Sequence, residues 1–265
     1  MIRLGVCGWP VGHSRSPAMH NAALAAVGLR DWRYQHLPIP PERFAETVRA
    51  LPAAGFRGVN VTVPHKEAAL ALADGATDSA RAIGAANTLT FAHGRIHADN
   101  TDAPGLLDAL PRSPAGATAL VLGAGGAARA AVWALRRAGA AEVRLFNRTP
   151  DRAAALAAEL GAVAVSAPEP ADILVNCTTV GLQSGDDPFK TLCLRADDWG
   201  AGTLVVDMVY RRGGTLLIRT AQAGGAEVVD GLEVLVAQGA ASFERWTGRT
   251  APRQAMREAV ADIAT

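Results

Sequence analysis

The chain has 265 residues, 49% of them hydrophobic but only 5% aromatic, and its 26 Lys and Arg balance 25 Asp and Glu to a formal charge of +1. That length holds one large domain or two ordinary ones, and the near-neutral balance gives no sign of a nucleic-acid footprint, which would need a clustered basic face. No apolar run approaches the about 18 residues that would cross a membrane. Cys7, Cys177 and Cys193 are widely spaced without a CxxC, which suits free thiols in a reducing cytoplasm rather than disulfides or a zinc site.

Taken in chain order, "IRLGVC" (2–7) is continuously apolar, as a parallel strand buried on both faces is. It runs into "GWPVGHSRS", so the N-terminal stretch is a strand entering a loop and not a signal peptide. "PAMHNAALAAVG" (17–28) is helical, with Ser16 as N-cap, Pro17 at N1 and Gly28 at the stop. A second helix covers 40–51, and "GVNVT" (58–62) is the next strand, followed by a helix start that holds Lys66. "LPRSPAGA" (110–117), with two prolines and a glycine, is the best linker candidate. Beyond it, strands at 118–123, 142–147, 172–176, 203–207 and near 226–229 alternate with helices at 127–139 and 150–161. A long helical pattern, "DGLEVLVAQGAASFERWTG", and a helix over 252–263 close the chain. Such alternation defines an α/β protein with parallel sheets. The expected division is residues 1–102, rejoined by about 236–265, as an α/β domain with a mainly parallel sheet, and 103–235 as a second, Rossmann-like domain.

The nucleotide assignment rests on "ALVLGAGGAARAAVWAL", which sets G-x-G-x-x-A (Gly123, Gly125, Ala128) at the end of a strand and the start of a helix. The first glycine makes the tight bend, the second lets backbone approach a pyrophosphate, and the third small residue packs helix on strand. Helix-end N–H groups then face the phosphates. At the end of the next strand, where NAD sites carry an acid for the ribose hydroxyls, this chain has "FNRTPDR": Asn147 in place of the acid, then Arg148, Thr149 and Arg152. Arginine beside the ribose suits a 2′-phosphate, hence NADP. The same residues also cap the following helix.

In the N-terminal half, Ser14 and Ser16 follow the first strand, and Asn60, Thr62 and Lys66 follow another; Asn87 and Asp102 come later. Crevices at the carboxyl ends of strands bind ligands in such sheets, and grouped hydroxyls and amides suit a small polyhydroxylated molecule. Lys66 stands out because only it and Lys190 are lysine among the 26 basic residues. Arginine cannot lose its proton in a protein, whereas a partly desolvated lysine can. Helix start and burial disfavour the ammonium form and a neighbouring carboxylate favours it; sequence leaves that balance open.

The stretches "GWPVGHSRSPAMHN", "GVNVTVPHK", "GAANTL", "NTDAPG", "GAGGAARA", "NRT", "VVDMVY" and "DGLEVLVAQGAASFERWTG" together resemble the shikimate dehydrogenase family, in the family's order and over nearly the whole chain. The resemblance implies NADP-dependent interconversion of shikimate and 3-dehydroshikimate in aromatic amino-acid (chorismate) biosynthesis, with Lys66 and Asp102 as the catalytic pair. It assigns substrate contacts to Ser14, Ser16, Thr62, Asn87, Tyr210 and Gln238. It assigns cofactor contacts to Gly123, Ala124, Gly125, Gly126, Ala127, Asn147, Arg148, Thr149, Arg152, Met208 and Gly231. Composition and the N-terminal stretch point to a soluble cytoplasmic protein acting on a small molecule, without nucleic acid, membrane or metal, and a monomer or a homodimer would both be compatible. Departures from the family's wording are Ala86 for valine, no Asn-Pro after Tyr210, and Glu233 for glycine; His65 is a familiar variant without a catalytic role. The competing readings are a quinate enzyme using NAD, a methylenetetrahydrofolate-type dehydrogenase with its catalytic lysine, and a non-catalytic NADP-binding sensor.

Overall fold

A computed structural model describes residues 1–261, which divide into two compact units: 1–105 together with the C-terminal segment from 236, and 106–235. In chain order the first unit runs β1 (Ile2–Gly8), α1 (Ser16–Ala26), β2 (Trp32–Pro38), α2 (Phe44–Ala50), β3 (Phe56–Val61), α3 (Lys66–Leu72), β4 (Gly75–Ala76), α4 (Asp78–Ile83), β5 (Thr88–Ala92), β6 (Arg95–Asp99) and α5 (Asp102–Ala109). The second holds β7 (Thr118–Leu122), α6 (Gly126–Arg137), β8 (Glu142–Phe146), α7 (Pro150–Leu160), β9 (Val163–Ala164), β10 (Ile173–Asn176), α8 (Pro188–Thr191), β11 (Leu204–Asp207), α9 (Leu216–Ala223) and β12 (Glu227–Val229). The chain returns to the first unit within α10 (Gly231–Thr247) and continues to α11 (Arg253–Ala261). Positions 262 and 263 of the expected last helix lie outside the described residues.

The first sheet has the order β2-β1-β3-β5-β6-β4 and is parallel except at β5, which runs against both neighbours. Periodicity located β1 and β3 but not β2, β4, β5 or β6. "WRYQHLP" mixes charged and aromatic residues on an edge strand that is buried fully only at Tyr34, so no apolar run marks it. Strands β5 and β6 form a short hairpin across His93 and Gly94, both with positive φ. The side chains of Phe44, Val48, Val59, Val61, Leu89 and Phe91 pack together in one core of this unit, each such burial stabilising by about 2 kcal/mol.

Three local expectations change. Ser16 is the first helical residue rather than the N-cap: Arg15 takes the cap position and no side chain caps the helix, since Ser16 Oγ faces Ser14 Oγ at 3.2 Å. The expected helix 40–51 opens as a 3₁₀ turn over Pro41–Arg43 before the α-helical part. The stretch 110–117 lies inside the second unit, with Leu110 and Ala117 packed on its core, and the crossing between units falls within α5 instead.

The second sheet is parallel throughout, in the order β12-β11-β10-β7-β8-β9. Its central strands are apolar on both faces. Ala119, Val121, Ile173, Val175, Leu204 and Val206 pack with α6 and α7 on one side. The alternate residues Leu120, Leu122, Leu174 and Val205 pack with Trp199, Leu217 and Ile218 on the other. Chain order reverses between β7 and β10, and the carboxyl ends of strands at such a point form a ligand crevice.

Candidate active site

In the first unit, Lys66 opens α3 and Asp102 opens α5. Lys66 Nζ donates to Asp102 Oδ2 at 2.5 Å, with side chains only 12% and 7% exposed. A buried ion pair survives only when its remaining lone pairs are also satisfied, and here Asn87 Nδ2 donates to Asp102 Oδ1 at 2.9 Å. Asn87 also reaches Gln238 Oε1 at 3.2 Å. The helix cap that an opening aspartate ordinarily provides comes instead from Asn100, whose Oδ1 accepts from the N–H groups of Asp102 and Ala103. That leaves both Asp102 oxygens for Lys66 and Asn87. His65, just before the lysine, is buried, stacked on Phe44 and bonded to Ile39 O at 2.7 Å; burial pushes its basicity down. It anchors the start of α3.

Lys66, Asp102, Asn87 and Gln238 are thus joined directly. Ser14 and Ser16 form a separate hydroxyl pair after β1, with His36 Nε2 donating to Ser14 O at 2.9 Å. Thr62 follows β3, the neighbour of β1, and bonds through its N–H to Cys7 O. Tyr210 belongs to the second unit and is half-buried there. Behind the direct group lies a buried polar layer made of Asn60, which the sequence places near the crevice, and of Thr88, Thr101 and Ser242, which it does not single out. "NVT" and "NTDAPG" carried part of the signal; Ser242, inside an apolar helix, carried none.

In the second unit, Gly123 to Gly125 form the β7–α6 turn, and Gly126 and Ala127 open α6. Gly123 has φ +104°, a region costly for any residue with a Cβ. Gly125 differs: its φ is −108° and a Cβ there would meet nothing within 4 Å, so the fold itself does not demand glycine. A cavity of about 160 Å³ opens at the strand ends, lined by Gly123, Asn147, Arg148, Thr178 and Thr179 among others. Asn147 Nδ2 donates to Thr149 O at 2.9 Å, tightening the turn that presents the exposed Arg148, Thr149 and Arg152. Met208 and Gly231 meet on a second shelf, where a Cβ on Gly231 would lie 2.8 Å from Asp207 O and Met208 O. Beneath it, the Asp207 carboxylate accepts from Asn176 Nδ2, Val209 N–H and Thr215 Oγ1, and burial pushes its pKa up to about 6. Among the described residues no His, Cys, Asp and Glu cluster has the grouping to hold a metal, and no helix is long and apolar enough to cross a membrane.

A chain that carries one doubly wound, glycine-turned unit and another unit with a buried lysine–carboxylate pair has the parts of a pyridine-nucleotide dehydrogenase. Residues 6–89 match the model of the shikimate dehydrogenase substrate binding domain, 108–179 that of shikimate/quinate 5-dehydrogenase, and 231–261 that of the shikimate 5′-dehydrogenase C-terminal domain. The shikimate dehydrogenase (NADP⁺) of Paracoccus denitrificans is 46% identical, over 92% of this chain and 90% of that protein. The enzyme of that name from Anaeromyxobacter is 47% identical, over 97% and 95%. The crystal structure of the Thermus thermophilus shikimate 5-dehydrogenase in complex with NADP(H) and shikimate superposes with a TM-score of 0.88, at 45% identity and full coverage of both chains. The chain belongs to the shikimate dehydrogenase family.

Proposed function

We propose that this chain is an NADP-dependent shikimate dehydrogenase, interconverting shikimate and 3-dehydroshikimate on the route to chorismate and the aromatic amino acids. The observation that carries the reading is the buried Lys66–Asp102 pair held at 2.5 Å among amides and hydroxyls. A binding module needs no such pair, and a folate-type substrate would need an aromatic stacking surface rather than Ser14, Ser16, Thr62, Asn87 and Gln238. Those residues, with Tyr210, are the proposed substrate contacts. The first unit is then the substrate domain and the second the cofactor domain.

The second unit fits NADP. The space kept open over Gly125 admits a pyrophosphate against the turn and helix start of Gly123 to Ala127, and Asn147, Arg148, Thr149 and Arg152 offer donors and positive charge to a 2′-phosphate where an acid would repel it. Met208 and Gly231 complete the proposed contacts. Bound NADP supplies the hydride acceptor and, in reverse, the donor. In the oxidising direction Lys66 Nζ, as the neutral amine, takes the proton of the reacting hydroxyl and becomes the ammonium while the hydride leaves for the nicotinamide; in the reducing direction the ammonium returns that proton to the carbonyl oxygen. Asp102 fixes Nζ through Oδ2 and is itself fixed by Asn87.

The test is the initial rate of nicotinamide reduction with shikimate or quinate and NADP⁺ or NAD⁺ in all four pairings. A dominant shikimate–NADP⁺ rate is expected. A dominant quinate or NAD⁺ rate overturns the specificity, and silence in all four with NADP still bound overturns the enzymatic reading in favour of a sensor.

A further inference from the structure

We propose that Ser242 is a positioning residue for the Lys66–Asp102 pair, acting from α10 through the buried hydroxyls of Thr88 and Thr101 and the amide of Asn87; this rests on the dehydrogenase reading above. Ser242 is fully buried, one helical turn beyond Gln238. Its Oγ lies 2.8 Å from Thr88 Oγ1 and 3.0 Å from Thr101 Oγ1, and those two are 3.2 Å apart. A serine buried inside a helix costs stability unless its hydroxyl is used, so the use is informative.

Backbone groups that only donate or only accept set the polarity of the cluster. Thr101 N–H donates to Asn87 Oδ1 at 2.7 Å. Asn87 must therefore turn its NH₂ the other way, where Nδ2 reaches Asp102 Oδ1 and Thr101 Oγ1, each at 2.9 Å, and Gln238 Oε1 at 3.2 Å. Asn87 O accepts from Asn60 Nδ2 at 3.1 Å, which directs that amide's other proton to Ser242 Oγ at 2.9 Å. Asn60 Oδ1 in turn accepts from the Tyr34 hydroxyl at 2.8 Å. Ser242 thus receives from Asn60 and reaches Thr88, Thr101 and Gln238 O, the last at 3.2 Å. Thr88 and Thr101 are within 3.1 and 3.2 Å of Asn87 Oδ1. A buried network satisfied at every member holds one arrangement, and this one ends on the Asp102 oxygen opposite Lys66. It also ties the register of α10, hence Gln238, to β3 and β5.

The test is steady-state kinetics with shikimate and NADP⁺ across pH, on the full chain and on Ser242→Ala, Thr88→Val and their double. Alanine at 242 orphans no amide proton, because Asn60 Nδ2 keeps Asn87 O and Thr88 Oγ1. Each single variant is expected to lower kcat by about five- to twentyfold, to move the pH profile of kcat, and to leave the Michaelis constant for NADP⁺ unchanged. Because the two residues act as one unit, the double should lose little more than the worse single. Unchanged kcat and pH profile in Ser242→Ala overturn the proposal and leave Ser242 a packing residue. Should that variant not fold, Thr88→Val, which keeps the branched shape, decides by the same readouts. A wild-type chain without shikimate–NADP⁺ turnover overturns the dehydrogenase reading instead, so the two failures are distinguishable.

Discussion

Position 66 takes one of the two lysines in a chain whose other basic residues are arginine, and its surroundings account for the choice. The side chain is nearly buried, bonded to a carboxylate, and placed where a guanidinium would bring charge but no transferable proton. Lys66→Ala is expected to lower kcat by about 10²- to 10⁴-fold while the Michaelis constant for shikimate changes far less. Lys66→Arg keeps the charge and should lose kcat comparably. A variant that chiefly weakens shikimate binding, measured by steady-state kinetics, contradicts the proton-transfer role. Asp102 shows a limit of residue-by-residue reading. An aspartate opening a helix is ordinarily a cap, and only the structure reveals that Asn100 has taken that task.

The β7–α6 turn separates two reasons for glycine that a sequence motif merges. Gly123 is required by the backbone, through its φ of +104° and a Cβ that would lie 3.2 Å from Thr178 Cγ2. Gly125 is required by neither. Gly123→Ala should therefore cost about 1–3 kcal/mol of stability, lowering the melting temperature of the apo-protein. Gly125→Ala should leave that temperature nearly unchanged yet weaken NADP⁺ binding by about tenfold or more. Apo melting curves and a fluorescence titration check both; an apo-protein destabilised by Gly125→Ala would mean the fold, not the ligand, demands that glycine. The same elements show why the second unit was legible beforehand: β7, β10 and β11 are apolar on both faces, and strand, glycine turn and helix follow in one contiguous segment. In the first unit β2 alternates too weakly and β5–β6 are too short to announce themselves. The pair Lys66–Asp102 could be suspected from residue type and family wording, whereas Ser242 meets Thr88 across 154 positions of sequence, a contact that no local pattern encodes.

At the scale of the molecule, two buried ionisable groups oppose each other in acid. His20 is completely buried, stacked on Tyr34 at 4.3 Å between Phe243 and Trp246. Burial lowers its pKa from 6.5 to about 3. The unfolded chain therefore binds the proton more readily, and this stability, fully present above 6.5, is lost as pH falls toward 3. Asp207 behaves inversely. Burial raises its pKa from 3.8 to about 6, so its contribution is present below 3.8 and is lost as pH rises through 6. Between about pH 4 and 6 the two slopes carry opposite signs and partly cancel, and the wider window of His20 leaves a net loss toward acid. His20→Phe, which keeps a ring in the stack, should remove the acid loss, so that the urea midpoint rises or stays level from pH 6 to pH 4. Asp207→Asn keeps an acceptor for Asn176 and Val209 and should steepen the acid loss. Each change is worth on the order of a few kcal/mol across its window, well within reach of urea midpoints measured at half-unit intervals. A His20→Phe profile parallel to wild type would mean that the imidazole is protonated in the fold, and the stack with Tyr34 would then have to be holding a cation.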